Sequence, residues 1–301
     1  MNVMDEPIAS PPPVALPWRT DRGRLLAEGY TVVPGVLEPD EVRRYQALAS
    51  GILAPQQARD YQEKHAAIGS LLDILREPGF VDLIGHPRAL AELRRLGFDE
   101  PRYEHGIVFN KLPRTPRTFW HQDCTIWSHP AAYEPDPHEL ILIYYLVDTT
   151  PHNGCLRVIP GSHRRRHPLH EPLRGASIPD LERMRDPSAP AFHGYPDEVS
   201  IPVRAGDLVV VDVRLLHATH ANDSDAERTA LSLWYIPACR DLPECVRARF
   251  TLRTGLDERL PYVPAGWRGE AAARLRALLP PVYEGSAAPL PWHTDPDERL
   301  R

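Results

Sequence analysis

Asp207-Leu-Val-Val-Val-Asp-Val-Arg-Leu-Leu-His217-Ala-Thr219-His220 is the stretch on which the reading of this chain turns. Ala205-Gly206 supplies a turn ahead of it, and Leu208 to Val213 reads as a buried strand that leads into His217. A polar loop follows, and Arg228 opens a second strand, Thr229 to Ile236, eleven residues after His217. An Arg returning on a neighbouring strand can stand beside a His at a strand end, and its planar fork suits a carboxylate. Upstream lies Phe119-Trp120-His121-Gln122-Asp123. If this segment is extended, His121 and Asp123 share one face and Gln122 points away. One imidazole and one carboxylate are two of the three groups in the 2-His-1-carboxylate set that holds non-haem Fe(II). His217 at the strand end completes it. Context carries the argument, because the chain has 14 His and a second His-x-Asp at His293-Thr294-Asp295. That second copy has no His after it.

The surrounding pattern is mainly β. Tyr103 to Leu112 reads as the first major strand, and Leu140 to Val147 as a near-continuous apolar strand buried on both sides. Asn153-Gly154 marks a turn into a strand over Cys155 to Ile159, closed by Pro160-Gly161. Several short strands with turn signals between them predict a double-stranded β-helix, that is, a cupin-like jelly roll. Helices are expected in an N-terminal layer on one face of the sheet: Asp21 to Glu28 closed by Gly29, a second opening at Glu38-Pro39, Leu71 to Leu75, and Pro87 to Leu96 closed by Gly97. Tyr30 to Val33 is a short strand. Residues 1–17 are expected to be a flexible tail, residues 18–240 the jelly-roll domain, and residues 241–301 a C-terminal extension with a helix over Gly269 to Leu279. Residues 164–200 lack periodicity and read as an insertion serving as a lid or partner surface.

Composition narrows the class. Apolar residues at 42% and charged residues at 25% describe a globular chain, and a net charge of −6 leaves no electrostatic footprint for nucleic acid. The N-terminus lacks a secretory pattern, and the longest apolar run is too short to span a bilayer. The expectation is a cytoplasmic protein with no membrane or nucleic-acid partner and with its 4 Cys reduced.

The set His121-x-Asp123, then Asn153-Gly-Cys-Leu-Arg157-Val-Ile-Pro-Gly-Ser-His163, then His217-x4-Asn222-x-Ser224-x3-Arg228 resembles the phytanoyl-CoA dioxygenase-like family over roughly residues 20 to 240. The resemblance implies an Fe(II)- and 2-oxoglutarate-dependent dioxygenase that uses O2 to hydroxylate or otherwise oxidise an unactivated C–H bond of a small molecule, with a natural-product metabolite among the candidates. It implies that His121, Asp123 and His217 bind iron and act as the catalytic centre. Arg228 then holds the distal carboxylate of 2-oxoglutarate, and Thr219 adds a hydrogen bond to it. His220 is the rival third ligand, but it follows the strand less directly and stands eight residues from Arg228. Lys111 is a candidate helper for the co-substrate, against a plain surface strand position. Trp127, Tyr133 and Arg157 are candidates for the substrate pocket. His163 is read as a turn cap. Two other classes compete: a cupin-type metal oxygenase without 2-oxoglutarate, which would not need Arg228, and a non-enzymatic jelly-roll binding protein.

Overall fold

The computed structural model describes residues 21–56, 70–176, 184, 186, 188–251 and 263–300. The tail expected over residues 1–17 lies outside them. Helix α1 (Arg22–Glu28) starts where the Asp21 carboxylate accepts the Arg24 N–H, and it stops at Gly29, whose φ of 87° closes the last turn. A Cβ at Gly29 would stand 2.7 Å from His163 Nδ1, so glycine also admits that ring. Strand β1 (Tyr30–Val33) follows at once. Helix α2 (Pro39–Leu53) carries Pro at its first turn with Asp40 and Glu41, where acids complement the helix dipole. Short helix α3 (Val81–Ile84) and helix α4 (Pro87–Arg95) complete the N-terminal layer.

One expected helix is a strand instead. Ser70–Asp73 forms β2, paired antiparallel with β3 (Arg102–Lys111) through Leu71↔Phe109 and Leu72↔Val108, and only Ile74–Arg76 turns as a 3₁₀ helix. A short apolar run has no period of its own, and the unpaired edge of β3 decides its conformation.

The remaining strands are β4 (Leu140–Tyr145), β5 (Leu156–Val158), β6 (Val199–Ile201), β7 (Leu208–Asp212), β8 (His217–Thr219) and β9 (Arg228–Ile236). They build a six-stranded sheet in the order β1-β7-β4-β9-β3-β2 and a three-stranded sheet in the order β6-β5-β8, with every pairing antiparallel. Alternation sorts the large sheet's side chains. Leu140, Leu142, Leu231, Leu233 and Tyr235 join α2, α4 and their neighbours in one core. Ile141, Ile143, Val209, Val211 and Trp234 join Leu156, Val158 and Ile201 of the small sheet in a second core. Two sheets closed face to face around that second core are a jelly roll, with the helical layer on the outer face.

The chain after β9 contributes to both sides. Helix α5 (Glu244–Thr251) was not expected from the sequence, and its Val246 joins the inter-sheet core. Helix α6 (Gly269–Leu278) lies where the sequence places it and packs Ala272 and Leu275 into the outer core.

Candidate functional site

Between the sheets lies a cavity of about 980 Å³, lined by residues of β3, β4, β8 and β9 and by Pro289 to Trp292 from the C-terminal segment. His121, Asp123 and His217 stand in its wall. His121 and His217 exchange both backbone hydrogen bonds, 3.1 Å for His121 N to His217 O and 3.0 Å in return. Such a pair brings side chains together on one face, and the two rings sit 4.2 Å apart. Asp123 is on the same face as expected: its carboxylate oxygens lie 3.8 Å from His121 Nε2 and 4.0 Å from His217 Nε2. One ligating atom from each of the three falls within 4.8 Å of the others, a spacing that a single metal ion can bridge.

The tautomers suit that role. His121 Nδ1 donates to Phe119 O and His217 Nδ1 to Leu215 O, both at 3.0 Å, so each imidazole turns its Nε2 to the cavity. Burial, and then His217, push the His121 pKa down to about 4, which keeps the ring neutral at physiological pH. Gln122, expected to point away, also borders the cavity and works for the site. Gln122 donates from Nε2 to Arg214 O, locking the first ligand segment to the turn before His217. Arg214 in turn binds both oxygens of buried Asp212, at 2.9 and 2.6 Å, and donates to Ala132 O and Glu134 O. This ion pair staples the loop after Asp123 to the end of β7.

Arg228 opens β9 beside Lys111 of β3 in direct register. Its guanidinium is buried over the Phe109 ring, 4.7 Å from the centroid, and Phe109 is part of the cavity wall. Nε and both Nη atoms are buried with no hydrogen-bond acceptor among the described residues. A buried cation with three idle donors is costly unless an anion meets it. Lys111 is fully buried, so the surface reading of it is wrong: β3 alternation puts it on the cavity side with Ile107 and Phe109. Its Nζ donates to Pro116 O, and burial together with Arg228 holds its pKa well below the usual lysine range. Thr219 lines the cavity two residues beyond His217, its hydroxyl 3.2 Å from that of Thr118.

Other expectations are redirected. His220 turns away from the triad, its Nε2 2.7 Å from Ser200 Oγ. Trp127 and Tyr133 do not line the cavity; they pack on each other at 5.3 Å within the inter-sheet core. Arg157 is absent from the lining too, because β5 points Leu156 inward and Arg157 out, where it stacks over Trp120 and pairs with Glu198 at 3.2 Å. His163 does not cap its own turn; its Nε2 bonds Leu26 O in helix α1. The Asn222 amide donates to Lys111 O, Leu112 O and Ala226 O, so this part of the motif shapes the turn into Arg228. In the 164–200 insertion, His170, Leu173 and Ala176 border a small cleft next to His121 and Gln122, outside the main cavity.

The sequence reading missed the far end of the cavity. Glu104, His105, Glu139 and Arg249 all line it. Glu139 was findable, since it precedes β4 by one residue and shares the inward face with Ile141 and Ile143. Burial, and then Asp123, push its pKa up to about 8.

A sequence profile of the phytanoyl-CoA dioxygenase (PhyH) family matches residues 26–230. The ectoine dioxygenase of Sphingopyxis alaskensis is 26% identical over 277 residues, covering 85% of each chain. The structure of SnoN, a non-haem alpha-ketoglutarate-dependent epimerase from nogalamycin biosynthesis, matches with a TM-score of 0.53 at 25% identity, over 72% of this chain and 81% of that one. EctD of S. alaskensis with 2-oxoglutarate and 5-hydroxyectoine shares the fold, with a TM-score of 0.53 at 22% identity over 74% and 77% of the two chains.

Proposed function

This chain belongs to the phytanoyl-CoA dioxygenase family, and from that premise we propose that His121, Asp123 and His217 hold Fe(II) while Arg228 receives the far carboxylate of 2-oxoglutarate. The protein is an Fe(II)- and 2-oxoglutarate-dependent dioxygenase acting on a small molecule. Bound iron and 2-oxoglutarate supply the oxidising chemistry: O2 is consumed, the co-substrate leaves as succinate and CO2, and a substrate C–H bond is oxidised. The protein's own part is positioning. His121 and His217 present their Nε2 atoms because their Nδ1 protons are spent on backbone carbonyls. Asp123 adds one negative charge opposite them, and the apolar wall of Ile107, Phe109, Ile141 and Ile143 keeps water from the reacting bond. Lys111, its Nζ bonded to Pro116 O, packs beside Arg228, and Thr219 offers its hydroxyl to the same carboxylate. The relatives point to a metabolite or natural product as the substrate class.

The observation that carries the 2-oxoglutarate assignment is the buried Arg228 guanidinium without an acceptor. A cupin-type oxygenase without 2-oxoglutarate leaves that cation unexplained, and a binding protein leaves the triad unexplained as well. The test is anaerobic addition of Fe(II) and then 2-oxoglutarate, following the visible charge-transfer band of the chelate. Wild type should develop the band, and Arg228→Ala should weaken 2-oxoglutarate by roughly 10- to 100-fold, as expected for losing charge-assisted bonds. Unchanged affinity in Arg228→Ala would refute its role.

A further inference from the structure

We propose that the cavity end formed by Glu139, Glu104 and His105 is a receptor for a positively charged nitrogen group, so that the substrate carries an ammonium or amidinium. This rests on the dioxygenase reading of the same cavity.

Three observations lead there. Glu139 is 4% exposed and lines the cavity, yet its carboxylate has no hydrogen bond or ion pair among the described residues. An acid held out of water without a partner is a strong acceptor for a cation that arrives with a ligand. Second, β3 is distorted to enlarge this receptor. Tyr103 pairs with Tyr235 and His105 with Trp234, which leaves Glu104 as an extra residue in a β-bulge. A regular strand would turn two successive side chains to opposite faces; here Glu104 and His105 both line the cavity, and each offers a ligating atom within 4.8 Å of one from Glu139. The His105 ring is steadied by stacking on Trp234, 4.2 Å between centroids.

Third, charge is sorted along the inner face of β9, whose Arg228 end lies beyond the cavity wall. Arg228 pairs with Lys111 at one end, Ser232 with Ile107 in the middle and Trp234 with His105 at the other. Six residues of strand separate the cationic end from the acidic one by roughly 20 Å. Among the charged lining residues Asp73, Glu104, Asp123 and Glu139 are acids, and Arg249 is the base. Arg249 donates to Leu290 O at 3.2 Å and stacks over Trp292 at 4.3 Å, and its charge also acts on Glu139, offsetting only part of the acidic field. A metal ion fits less well than an organic cation. Glu104 already bonds His105 Nδ1, and the cavity continues into an apolar belt that would hold the carbon skeleton.

The test uses the full chain, kept anaerobic and loaded with Fe(II) and 2-oxoglutarate at about pH 8.5, above the value to which burial raises Glu139. Hexylammonium, hexanol and hexanoate are titrated calorimetrically into wild type, Glu139→Gln and Glu104→Gln. Wild type should prefer hexylammonium by roughly 10-fold or more over both analogues, and Glu139→Gln should erase the preference. Equal binding of the three probes, or a preference that survives both substitutions, overturns the proposal. So does a second equivalent of Mn(II) that wild type binds and Glu139→Gln loses, which would make the cluster a divalent-cation site. The loading step reports separately: a missing chelate band strikes the dioxygenase reading before any probe is added.

Discussion

The two faces of the six-stranded sheet are made by the same strands and end in opposite conditions. The outer face, with Leu142, Leu231, Leu233 and Tyr235, closes against helices into a dry core. The inner face, offset by one residue, begins as an equally apolar surface at Ile141, Ile143 and Trp234 but opens onto the cavity and ends in Arg228 and Lys111. Burial on the outer face is almost wholly apolar, the Tyr144 hydroxyl being a polar exception. On the inner face, groups that stability would not choose are retained: a guanidinium without an acceptor and a carboxyl without a donor. Polar groups kept buried at a cost mark the side on which chemistry occurs.

Substitutions on the two faces should therefore separate activity from stability. The largest effect belongs to His217→Ala, which should reduce 2-oxoglutarate turnover to background, more than the ~10–100-fold that loss of a supporting hydrogen bond costs. Its urea midpoint should stay near wild type, and His220→Ala should keep most of its turnover. An active His217→Ala with a dead His220→Ala would exchange their roles. Next comes the staple that joins the ligand loop to the sheet. Arg214→Ala leaves Asp212 buried and unpaired and should cost about 3–5 kcal/mol in urea unfolding. A loss below about 1 kcal/mol would show water reaching Asp212.

The packing contrast is smaller but more direct. Leu233→Ala on the dry face should cost about 2–5 kcal/mol and leave turnover per folded molecule intact. Ile143→Ala, already facing a void, should cost less and alter substrate KM. Similar costs at both positions would erase the difference between the faces. The smallest effect is in pH dependence. Glu139 holds its proton in the folded state up to about pH 8, whereas an unfolded Glu releases it near 4.5. Folding then binds a proton across that window, so stability drains as pH rises through it. Glu139→Gln should gain on wild type between about pH 5 and 8 in thermal melts. Parallel melting curves would show the carboxyl ionised in the empty protein.

Local rules made much of this legible. Helix α1 and its glycine stop, the Pro-started α4 and the β7 and β9 strands follow from caps and periodicity, which act over a few residues. The His121–Asp123 pair was readable because alternation is a local geometric fact, and its partner because His217 follows the strongly apolar strand β7, although it opens β8 rather than closing that strand. The failures share a cause. Ser70–Asp73 is a strand only because β3 offers it an edge. Trp127 lies in a loop and Tyr133 in a single 3₁₀ turn, where no period tells which way an aromatic ring turns. Lys111 is buried because it pairs with Arg228 of β9 and its Nζ folds under the Pro116 carbonyl of the following loop.

The sequence by itself therefore determined the mainly β class, most of the sheet-forming segments and, through its family resemblance, the candidate residues for a metal and a carboxylate, since alternation, spacing and motif order are properties of the chain. Tertiary structure alone decided which face of each buried strand became cavity, brought Glu104 inward through a bulge, and set Glu139 against it from another strand. Those outcomes depend on pairing between segments far apart in the chain, where register and packing, not local preference, choose the neighbour.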